Sequence, residues 1–332
     1  MAASLHSSAP GLDRVIFRRL LLRWFAQSQR KLPWRRATDP YHVLVSEIML
    51  QQTRVAVVQD RYAKFIAQFP SAERLANARE ATVLAAWSGL GYYRRARALH
   101  GAAKEIVRRR SFPRSVPDLM ELPGVGRYTA SAVASIAFSE PVAVVDGNVK
   151  RVIDRLVNRK TQPAEATTEN HYWEIAGQLL DRQSPGDFNQ AMMELGALVC
   201  LPAQPLCHAC PVAELCGARG PTERAPRPAR RKAELHYALA CKNGSVLLCQ
   251  RKKNSSLMPG MWELPEIKMM RKEGKLPLLK LRHSITTTDY TVFVHNEKAR
   301  KRQGDRWVPL RSIDRLPLTG LTRKIIRGLS DA

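Results

Sequence analysis

The chain has 332 residues, of which 45% are hydrophobic, enough to bury a sizeable core and, at this length, to form two domains. It carries 54 Lys and Arg against 29 Asp and Glu, a net charge of +25 that predicts a polyanionic partner, most simply the nucleic-acid backbone. No apolar run approaches the roughly 18 residues that a membrane span needs, so we expect a soluble protein.

The first thirty residues are basic and superficially resemble an organelle transit peptide. We discount that reading because the apolar side chains fit a core helix that leads into LPWR. These side chains are Val15, Ile16, Leu20, Trp24 and Phe25.

The stretch DPYHVLVSEIMLQQT predicts a buried helix that contains a carboxylate. Asp39 followed by Pro40 is a helix start signal, and apolar residues then cover nearly the whole circumference. Burial raises the pKa of a carboxyl group, so Glu47 would be able to hold and donate a proton near neutral pH. The alternative is a structural glutamate paired with an arginine.

Composition divides the chain into three parts. Residues 1–216 carry helical periodicity broken by turn signals and predict an all-α domain. Residues 217–232 are rich in Pro and Arg and predict an extended linker. Residues 233–332 contain an Asn243-Gly244 hairpin signal, a second β-rich run and a closing helix, which together predict a small α+β domain.

The segment LPGVGRYTA predicts a tight turn between two helices. Gly124 and Gly126 allow a hairpin whose backbone amides, with the N-terminus of the next helix, would hold a DNA phosphate. The alternative is an ordinary turn between helices. With the basic charge of the chain, we favour a clamp on the DNA backbone.

The apolar run PVAVV ends abruptly at Asp146, before Gly147 and Asn148. Taken alone, this is ordinary helix-capping chemistry. Paired with a buried, protonatable Glu47, however, Asp146 would complete the two-carboxylate arrangement of glycosidic bond cleavage.

Four cysteines lie within one short segment at the spacing C-x6-C-x2-C-x5-C, which predicts a metal centre. Spacing alone leaves a [4Fe–4S] cluster and zinc open, with a disulfide as a third possibility. The four are Cys200, Cys207, Cys210 and Cys216. We expect Cys241 and Cys249 to be ordinary buried thiols in strands.

Taken in order, these motifs resemble the adenine DNA glycosylase of the MutY type, in the helix-hairpin-helix superfamily that includes endonuclease III. The resemblance is carried by LPWR, SEIMLQQT, GLGYYRRARALH, LPGVGRYTA, VDGNVKR, FNQAMMELGALVC and the four-cysteine segment. It implies a helix-hairpin-helix glycosylase domain with an iron–sulfur loop, a [4Fe–4S] cofactor that supports DNA binding without performing the chemistry, and double-stranded DNA with a mispaired adenine as partner.

The resemblance also implies roles for individual residues. Glu47 would protonate adenine N7 and Asp146 would stabilise or capture the oxocarbenium-like sugar, with Tyr128 and Asn148 orienting Asp146 and the water. The remaining roles are an adenine pocket and a duplex wedge that fills the gap left by the flipped base. The resemblance places Arg35, Trp34 and Gln190 in the adenine pocket, and it makes Gln52 and Tyr92 the wedge residues. Without the resemblance, the sequence alone would predict that Gln52 faces solvent and that Tyr92 lies in the core.

Bifunctional relatives of the endonuclease III type carry a lysine where this chain has Tyr128, and the amine forms a Schiff base with the sugar. The tyrosine therefore predicts a monofunctional glycosylase that leaves an abasic site. Thymine-mismatch glycosylases of the same superfamily also place tyrosine there, and SEIMLQQT favours adenine.

The C-terminal region resembles the MutT-like domain of this family through LMPGMWELPE, and it lacks the clustered glutamates of a nucleotide hydrolase. In the family this domain reads 8-oxoguanine through a Phe-Ser-His element. Here RHSITTTDY keeps Ser284 but places His283 and Ile285 where Phe and His are expected. The resemblance thus implies a polar contact from Ser284 without fixing the preference for the opposite base.

Adenine excision opposite 8-oxoguanine or guanine is the leading hypothesis. The alternatives are a glycosylase for another base, such as thymine opposite guanine, and a non-enzymatic iron–sulfur DNA-binding protein. We expect a monomer, located in a bacterial cytoplasm on the nucleoid. The sequence identifies no protein partner.

Overall fold

A computed structural model of the chain describes residues 12–36, 38–158, 168–221, 229–267, 276–297, 302 and 304–330. The chain forms two compact units. The first unit comprises residues 1–52, 71–73 and 101–225, and the second comprises 53–70, 74–100 and 226–332. The domain boundaries drawn from the sequence stay a prediction, and residues 1–11 and the linker centre, 222–228, lie outside the described residues.

Helices dominate the chain up to the four-cysteine segment, as the periodicity predicts. No helix among the described residues is long and apolar enough to cross a membrane. The helices are α1 (Arg14–Ser28), α2 (Pro40–Leu50), α3 (Val55–Gln68), α4 (Ala72–Ala76), α5 (Glu80–Ala86), α6 (Arg94–Arg109), α7 (Val116–Met120), α8 (Arg127–Phe138), α9 (Gly147–Leu156), α10 (Glu169–Leu179) and α11 (Pro185–Leu198).

The core of the first unit includes one face of α1. Phe17, Leu21 and Phe25 are spaced four residues apart and are all buried, and the ring of Phe17 meets Phe188 of α11 edge-on at 6.2 Å between centroids. The expected core helix is therefore present. Val15 was wrongly placed in its core, since it is 71% exposed on the opposite face.

A second apolar cluster forms among the helices of the second unit. Trp87 follows α5 and is fully buried, and its ring packs edge-on against Phe65 of α3 at 5.8 Å between centroids. Phe65 in turn contacts Phe69 at 5.0 Å between centroids. These rings pack α3 against the residue that follows α5.

The remainder of the second unit is an α/β region, and its described residues form two sheets. In one sheet β6 lies in the centre, parallel to β1 and antiparallel to β5; in the other, β3 pairs antiparallel with β2, β4 and β7. The elements are β1 (Arg231–Leu239), β2 (Cys241–Lys242), β3 (Ser245–Gln250), β4 (Trp262–Glu263), β5 (Leu279–Ile285), β6 (Thr288–Asn296), β7 (Arg306–Pro309) and the closing helix α12 (Gly320–Ser330).

The predicted hairpin is confirmed. Asn243 and Gly244 have φ of +48° and +68°, the two left-handed residues of a type I′ turn, and they join β2 to β3. Cys249 is half-buried in β3, but Cys241 is exposed in the short edge strand β2, so its expected burial was wrong. The apolar side chains of Val246, Leu248 and Val292 belong to the core of this region.

Candidate active site

Glu47 lies in the middle of α2, which begins as predicted. The side chain of Asp39 accepts hydrogen bonds from the backbone N–H groups of Tyr41 and His42 and so caps the helix. Glu47 is only 5% exposed, which confirms the predicted burial. Loss of hydration raises its pKa from 4.5 to about 7, so Glu47 is protonated in a substantial fraction of the molecules at neutral pH.

Tyr128, in the first turn of α8, is the hydrogen-bond partner of Glu47. Its hydroxyl donates to Glu47 Oε2 at 2.8 Å, and this bond opposes the effect of burial by stabilising the carboxylate. Burial and the neighbouring carboxylates raise the pKa of Tyr128 well above its ordinary value, so the phenol keeps its proton. The family resemblance paired Tyr128 with Asp146, whereas the hydrogen bond found is to Glu47.

Asp146 caps α9 and also belongs to the carboxylate pair. One oxygen accepts from the backbone N–H of Val149 at 2.7 Å and the other from Asn148 Nδ2 at 3.0 Å. Its negative charge is close enough to raise the pKa of Glu47. The capping and functional interpretations are therefore compatible, because the same donors that end the helix hold a carboxylate beside a protonatable one.

Asn189 of α11 fixes the segment that leads into Asp146. Its side chain is 2% exposed, accepts from the backbone N–H of Val144 at 3.0 Å, and donates to Val142 O and to Ser135 Oγ, both at 2.9 Å. Sequence reasoning missed this residue because a single Asn in FNQAMM carries no local signal of its long-range partners.

Glu194 binds two arginines, one of which, Arg35, is close enough to Glu47 to affect its pKa. It is 1% exposed, and Arg30 and Arg35 each donate two side-chain hydrogen bonds to its carboxylate. Burial raises the pKa of Glu194, but the hydrogen bonds from both arginines outweigh burial and lower it to about 2. The positive charge of Arg35 in turn lowers the pKa of Glu47.

Sequence reasoning named Arg35 but missed Glu194 and Arg30. The signal was nonetheless available, since Glu194 is a carboxylate inside the apolar stretch AMMELGAL, just as Glu47 is inside VLVSEIML. Of the other predicted pocket residues, Trp34 is 7% exposed and Gln190 is half-buried, with its amide donating to Gly186 O at 3.3 Å. Their roles in a pocket stay predictions.

The turn predicted from LPGVG joins α7 to α8. Gly124 adopts φ of +74°, which favours glycine, whereas Gly126 has φ of −92° and precedes the first turn of α8 without a side-chain cap. The first backbone N–H groups of α8 therefore have no capping side chain. An uncapped helix N-terminus after a tight turn is a suitable site for a phosphate.

Both predicted wedge residues have left-handed backbones. Gln52 has φ of +54° and is exposed; Tyr92 has φ of +45° and is 53% exposed. Left-handed backbone is unfavourable for residues other than glycine; it occurs in tight turns and at helix ends, and it also clusters at functional sites. The alternative of Tyr92 as a core tyrosine is wrong.

The four predicted metal-ligating cysteines are half-buried. Burial, together with the other three thiols, raises the pKa of Cys210 to about 11. Two sulfurs accept N–H hydrogen bonds, Cys200 from Arg155 Nη1 at 3.1 Å and Cys207 from the backbone of Gly220 at 3.4 Å. Among the described residues, no three His, Cys, Asp or Glu side chains are placed to bind a single metal ion.

Comparison with known proteins identifies the family. The family model of the HhH-GPD superfamily base excision DNA repair proteins matches residues 45–178. An adenine DNA glycosylase of Mus musculus is 36% identical over 345 residues, which cover 82% of this chain and 67% of the mouse protein.

The chain belongs to the adenine DNA glycosylase family.

The adenine DNA glycosylase of Rattus norvegicus is 38% identical over 314 residues, covering 77% of this chain, and the human protein is 36% identical over 358 residues, covering 85%. The chain spans 61% of the rat protein and 65% of the human one. The family assignment therefore rests on both the helical domain and part of the region that follows it.

Solved structures agree with the helical part of the fold. A thermostable thymine-DNA glycosylase superposes with a TM-score of 0.56 at 30% identity, covering 61% of this chain and 94% of its own. Endonuclease III in a non-covalent complex with DNA superposes with a TM-score of 0.52 at 22% identity, covering 62% of this chain and 95% of its own, and shows the fold alone. The chain thus has the helical HhH-GPD glycosylase fold followed by an α/β region.

Ser284, predicted to contact the base opposite adenine, is exposed near the end of β5. Its hydroxyl donates to Asp289 Oδ1 at 2.6 Å, and Arg230 also donates to that oxygen at 2.7 Å. His283, which stands where the family has Phe, is half-buried, and its pKa is lowered by burial. The contact predicted for Ser284 thus requires its hydroxyl to exchange or share the bond to Asp289.

Proposed function

We propose that the protein is an adenine-specific DNA glycosylase of base excision repair, which hydrolyses the N-glycosidic bond of adenine mispaired with 8-oxoguanine or guanine. The observation that carries the proposal is the pair of Glu47, buried with a pKa of about 7, and Asp146, held by two N–H donors at the start of α9. A protonated acid beside a carboxylate supplies both functions that glycosidic cleavage needs.

In the proposed reaction, Glu47 donates its proton to N7 of an adenine that has left the base stack. The C1′–N9 bond then breaks, and its electron pair leaves with the base. The sugar becomes oxocarbenium-like, and the Asp146 carboxylate stabilises its positive charge. A water molecule, oriented by Asn148, forms the new C1′–O bond and gives a proton to a carboxylate. Tyr128 provides no amine for a Schiff base, so the product is an abasic site and the strand stays intact.

Two isosteric variants test the roles of the carboxylates. Glu47→Gln and Asp146→Asn should each nearly abolish adenine release in single-turnover assays while leaving duplex binding largely intact. Glu105→Gln and Asp181→Asn make the same chemical changes outside the site and should release adenine at the rate of the unaltered protein. Unchanged release by either site variant would overturn the proposed roles. Loss of duplex binding together with release would instead indicate misfolding.

We also propose that Cys200, Cys207, Cys210 and Cys216 hold a [4Fe–4S] cluster. The donor set fits this group, since four half-buried thiols lie in one segment and N–H groups point at two sulfurs, which stabilises thiolates. When bound, the cluster would tie the four-cysteine segment together and so support DNA binding, without taking part in base release. Iron and sulfide analysis of purified protein should give four of each per chain. Bound zinc without sulfide would overturn the assignment.

The proposed partner is double-stranded DNA, supported by the net charge of +25 and by the uncapped start of α8 after Gly124. We further propose that the α/β region is the MutT-like domain that reads the opposite base, with Ser284 as a polar contact. Ser284→Ala should then reduce the preference for 8-oxoguanine over guanine and leave release opposite guanine unchanged. An unchanged preference would retire this contact.

Excision of thymine opposite guanine is the second candidate. It is favoured by the 30% identity to a thymine-DNA glycosylase and by the tyrosine at position 128. The monomeric state and the location in a bacterial cytoplasm stay predictions, the first testable by light scattering in solution.

A further inference from the structure

Tyr92 lies in an irregular turn that has no regular secondary structure of its own. Gly89, Gly91 and Tyr92 all have left-handed backbones, with φ of +95°, +68° and +45°. Glycine adopts a left-handed backbone freely, whereas this conformation is energetically unfavourable for tyrosine. The exposed ring of Tyr92 therefore keeps its place only if neighbouring groups restrain the turn.

Arg95, in the first turn of α6, restrains the turn that contains Tyr92. Its guanidinium lies over the rings of Tyr92 and Trp87, at 5.3 and 5.6 Å from their centroids, and donates to Leu90 O at 3.0 Å and to Thr53 Oγ1 at 2.9 Å. The cation thus links the exposed ring of Tyr92 to the buried Trp87 and to the carbonyl of the turn itself.

Tyr93 ties the next position of the chain to the α/β region. Tyr93 is 5% exposed, and its hydroxyl donates to Leu318 O at 3.2 Å. The acceptor is held firmly, because the backbone N–H of Trp262 in β4 donates to Pro317 O and that of Thr319 donates to Trp262 O, both at 2.9 Å. The hydroxyl of Tyr93 therefore joins the Tyr92 turn to a segment that is paired with a strand.

Arg97, in the first turn of α6, makes a second attachment to the α/β region. Its guanidinium bonds Glu80 Oε1 at 2.8 Å and donates to Pro259 O at 2.6 Å. The turn that contains Pro259 is itself fixed to the residue that follows β3, since the backbone N–H of Gly260 donates to Arg251 O at 3.1 Å. Both attachments thus end on backbone carbonyls of the α/β region whose neighbouring residues are hydrogen-bonded to β4 or to the residue that follows β3.

We infer that the α/β region positions Tyr92 for insertion into the duplex, acting through the Tyr93 hydroxyl and the Arg97 guanidinium. This inference rests on the proposed function and on the wedge role that the family resemblance implies for Tyr92, which would fill the gap beside the flipped adenine. Tyr93 and Arg97 are positioning residues and do not contact the reacting atoms. The restraint acts before any base is read, so its loss reduces base flipping opposite guanine and opposite 8-oxoguanine alike.

Tyr93→Phe tests the inference with little change in packing, because it removes only the hydroxyl. Without that hydrogen bond, we expect single-turnover adenine release to slow about fivefold opposite either base, the rate equivalent of about 1 kcal/mol. Base flipping is measured separately, by the fluorescence of 2-aminopurine placed at the adenine position, and it should fall as well. Arg97→Gln should show the same pattern.

Matched variants and a double-mutant cycle separate positioning from a general loss of stability. Tyr172→Phe removes a buried tyrosine hydroxyl that donates to Asp154 Oδ1 at 2.7 Å, and Arg108→Gln breaks an exposed ion pair on α6; both should flip and release the base normally. If Tyr93 acts through Tyr92, then Tyr93→Phe should have no additional effect on release in a Tyr92→Ala protein.

A fivefold loss from Tyr93→Phe in both backgrounds, or no loss in the unaltered background, would overturn the inference while leaving the proposed glycosylase function intact. The absence of adenine release from the unaltered protein would overturn the proposed function instead. The two failures are therefore distinguishable in the same set of experiments.

Discussion

The hydrogen bond from Tyr128 to Glu47 predicts a specific change in the pH dependence of adenine release. Glu47 acts in its protonated form, so kcat/KM should be flat at low pH and fall as pH rises through about 7, the pKa of the buried carboxyl group. Tyr128→Phe removes the donor that lies 2.8 Å from Glu47 Oε2 and that stabilises the carboxylate. The pKa of Glu47 should then rise, and the alkaline limb should move to higher pH.

The size of the shift follows from the strength of the bond. A hydrogen bond to a charged group contributes about 1.5–3 kcal/mol, and about 1.4 kcal/mol corresponds to one pKa unit. A phenol also bonds the protonated acid, which offsets part of this effect, so we expect a shift of about one unit. The assay is single-turnover release at sub-saturating protein from about pH 5 to 9, with Tyr172→Phe as the control. An alkaline limb that stays in place or moves to lower pH would refute the reasoning.

Three further predictions concern stability. Because the pKa of folded Glu47 is raised from 4.5 to about 7, the stability that the group contributes is complete below pH 4.5 and is lost as pH rises through 7. Glu47→Gln should therefore raise the free energy of unfolding at pH 8 by up to about 3 kcal/mol, measured by urea denaturation, with no gain near pH 4. Glu194→Gln should destabilise the protein by about 3–5 kcal/mol at pH 7, because it leaves two arginines without their buried carboxylate. This loss of stability should become smaller as pH falls from 4.5 towards 2, where Glu194 itself becomes protonated. Equal stability of the variant and the unaltered protein at pH 7 would contradict the prediction. Gly124→Ala, at φ of +74°, should lower stability by about 1–2 kcal/mol and weaken duplex binding, whereas Gly126→Ala, at φ of −92° with no atom within 4 Å of the added carbon, should leave thermal stability unchanged.

Features set by neighbouring residues were predictable from the sequence. The cap at Asp39, the burial of Glu47 and the type I′ turn at Asn243-Gly244 each depend on a few adjacent side chains and on helical or strand periodicity. Burial of Glu47 followed from apolar residues on all sides of α2. The exposure of Cys241 could not be predicted in this way, because an edge strand and an interior strand have similar local composition.

Features that depend on distant pairings were not predictable from residue patterns. Glu194 and Arg30 lie 164 positions apart, and the buried Asn189 bonds a backbone N–H 45 positions away. Likewise, the parallel pairing of β1 with β6 joins strands separated by most of the α/β region. An apolar stretch around a carboxylate can indicate that Glu194 is buried, but no periodicity identifies its partners, so its pairing with Arg30 and Arg35 is seen only in the structure.

Adenine excision by this chain is the central claim, and one measurement tests it most directly. Single-turnover base release would be followed on duplexes with adenine opposite 8-oxoguanine, adenine opposite guanine and thymine opposite guanine, with alkali added afterwards to cleave abasic sites. We expect adenine release, fastest opposite 8-oxoguanine, with strands intact until alkali is added. Release of thymine alone, or of no base from any of the three duplexes, would contradict the proposed function.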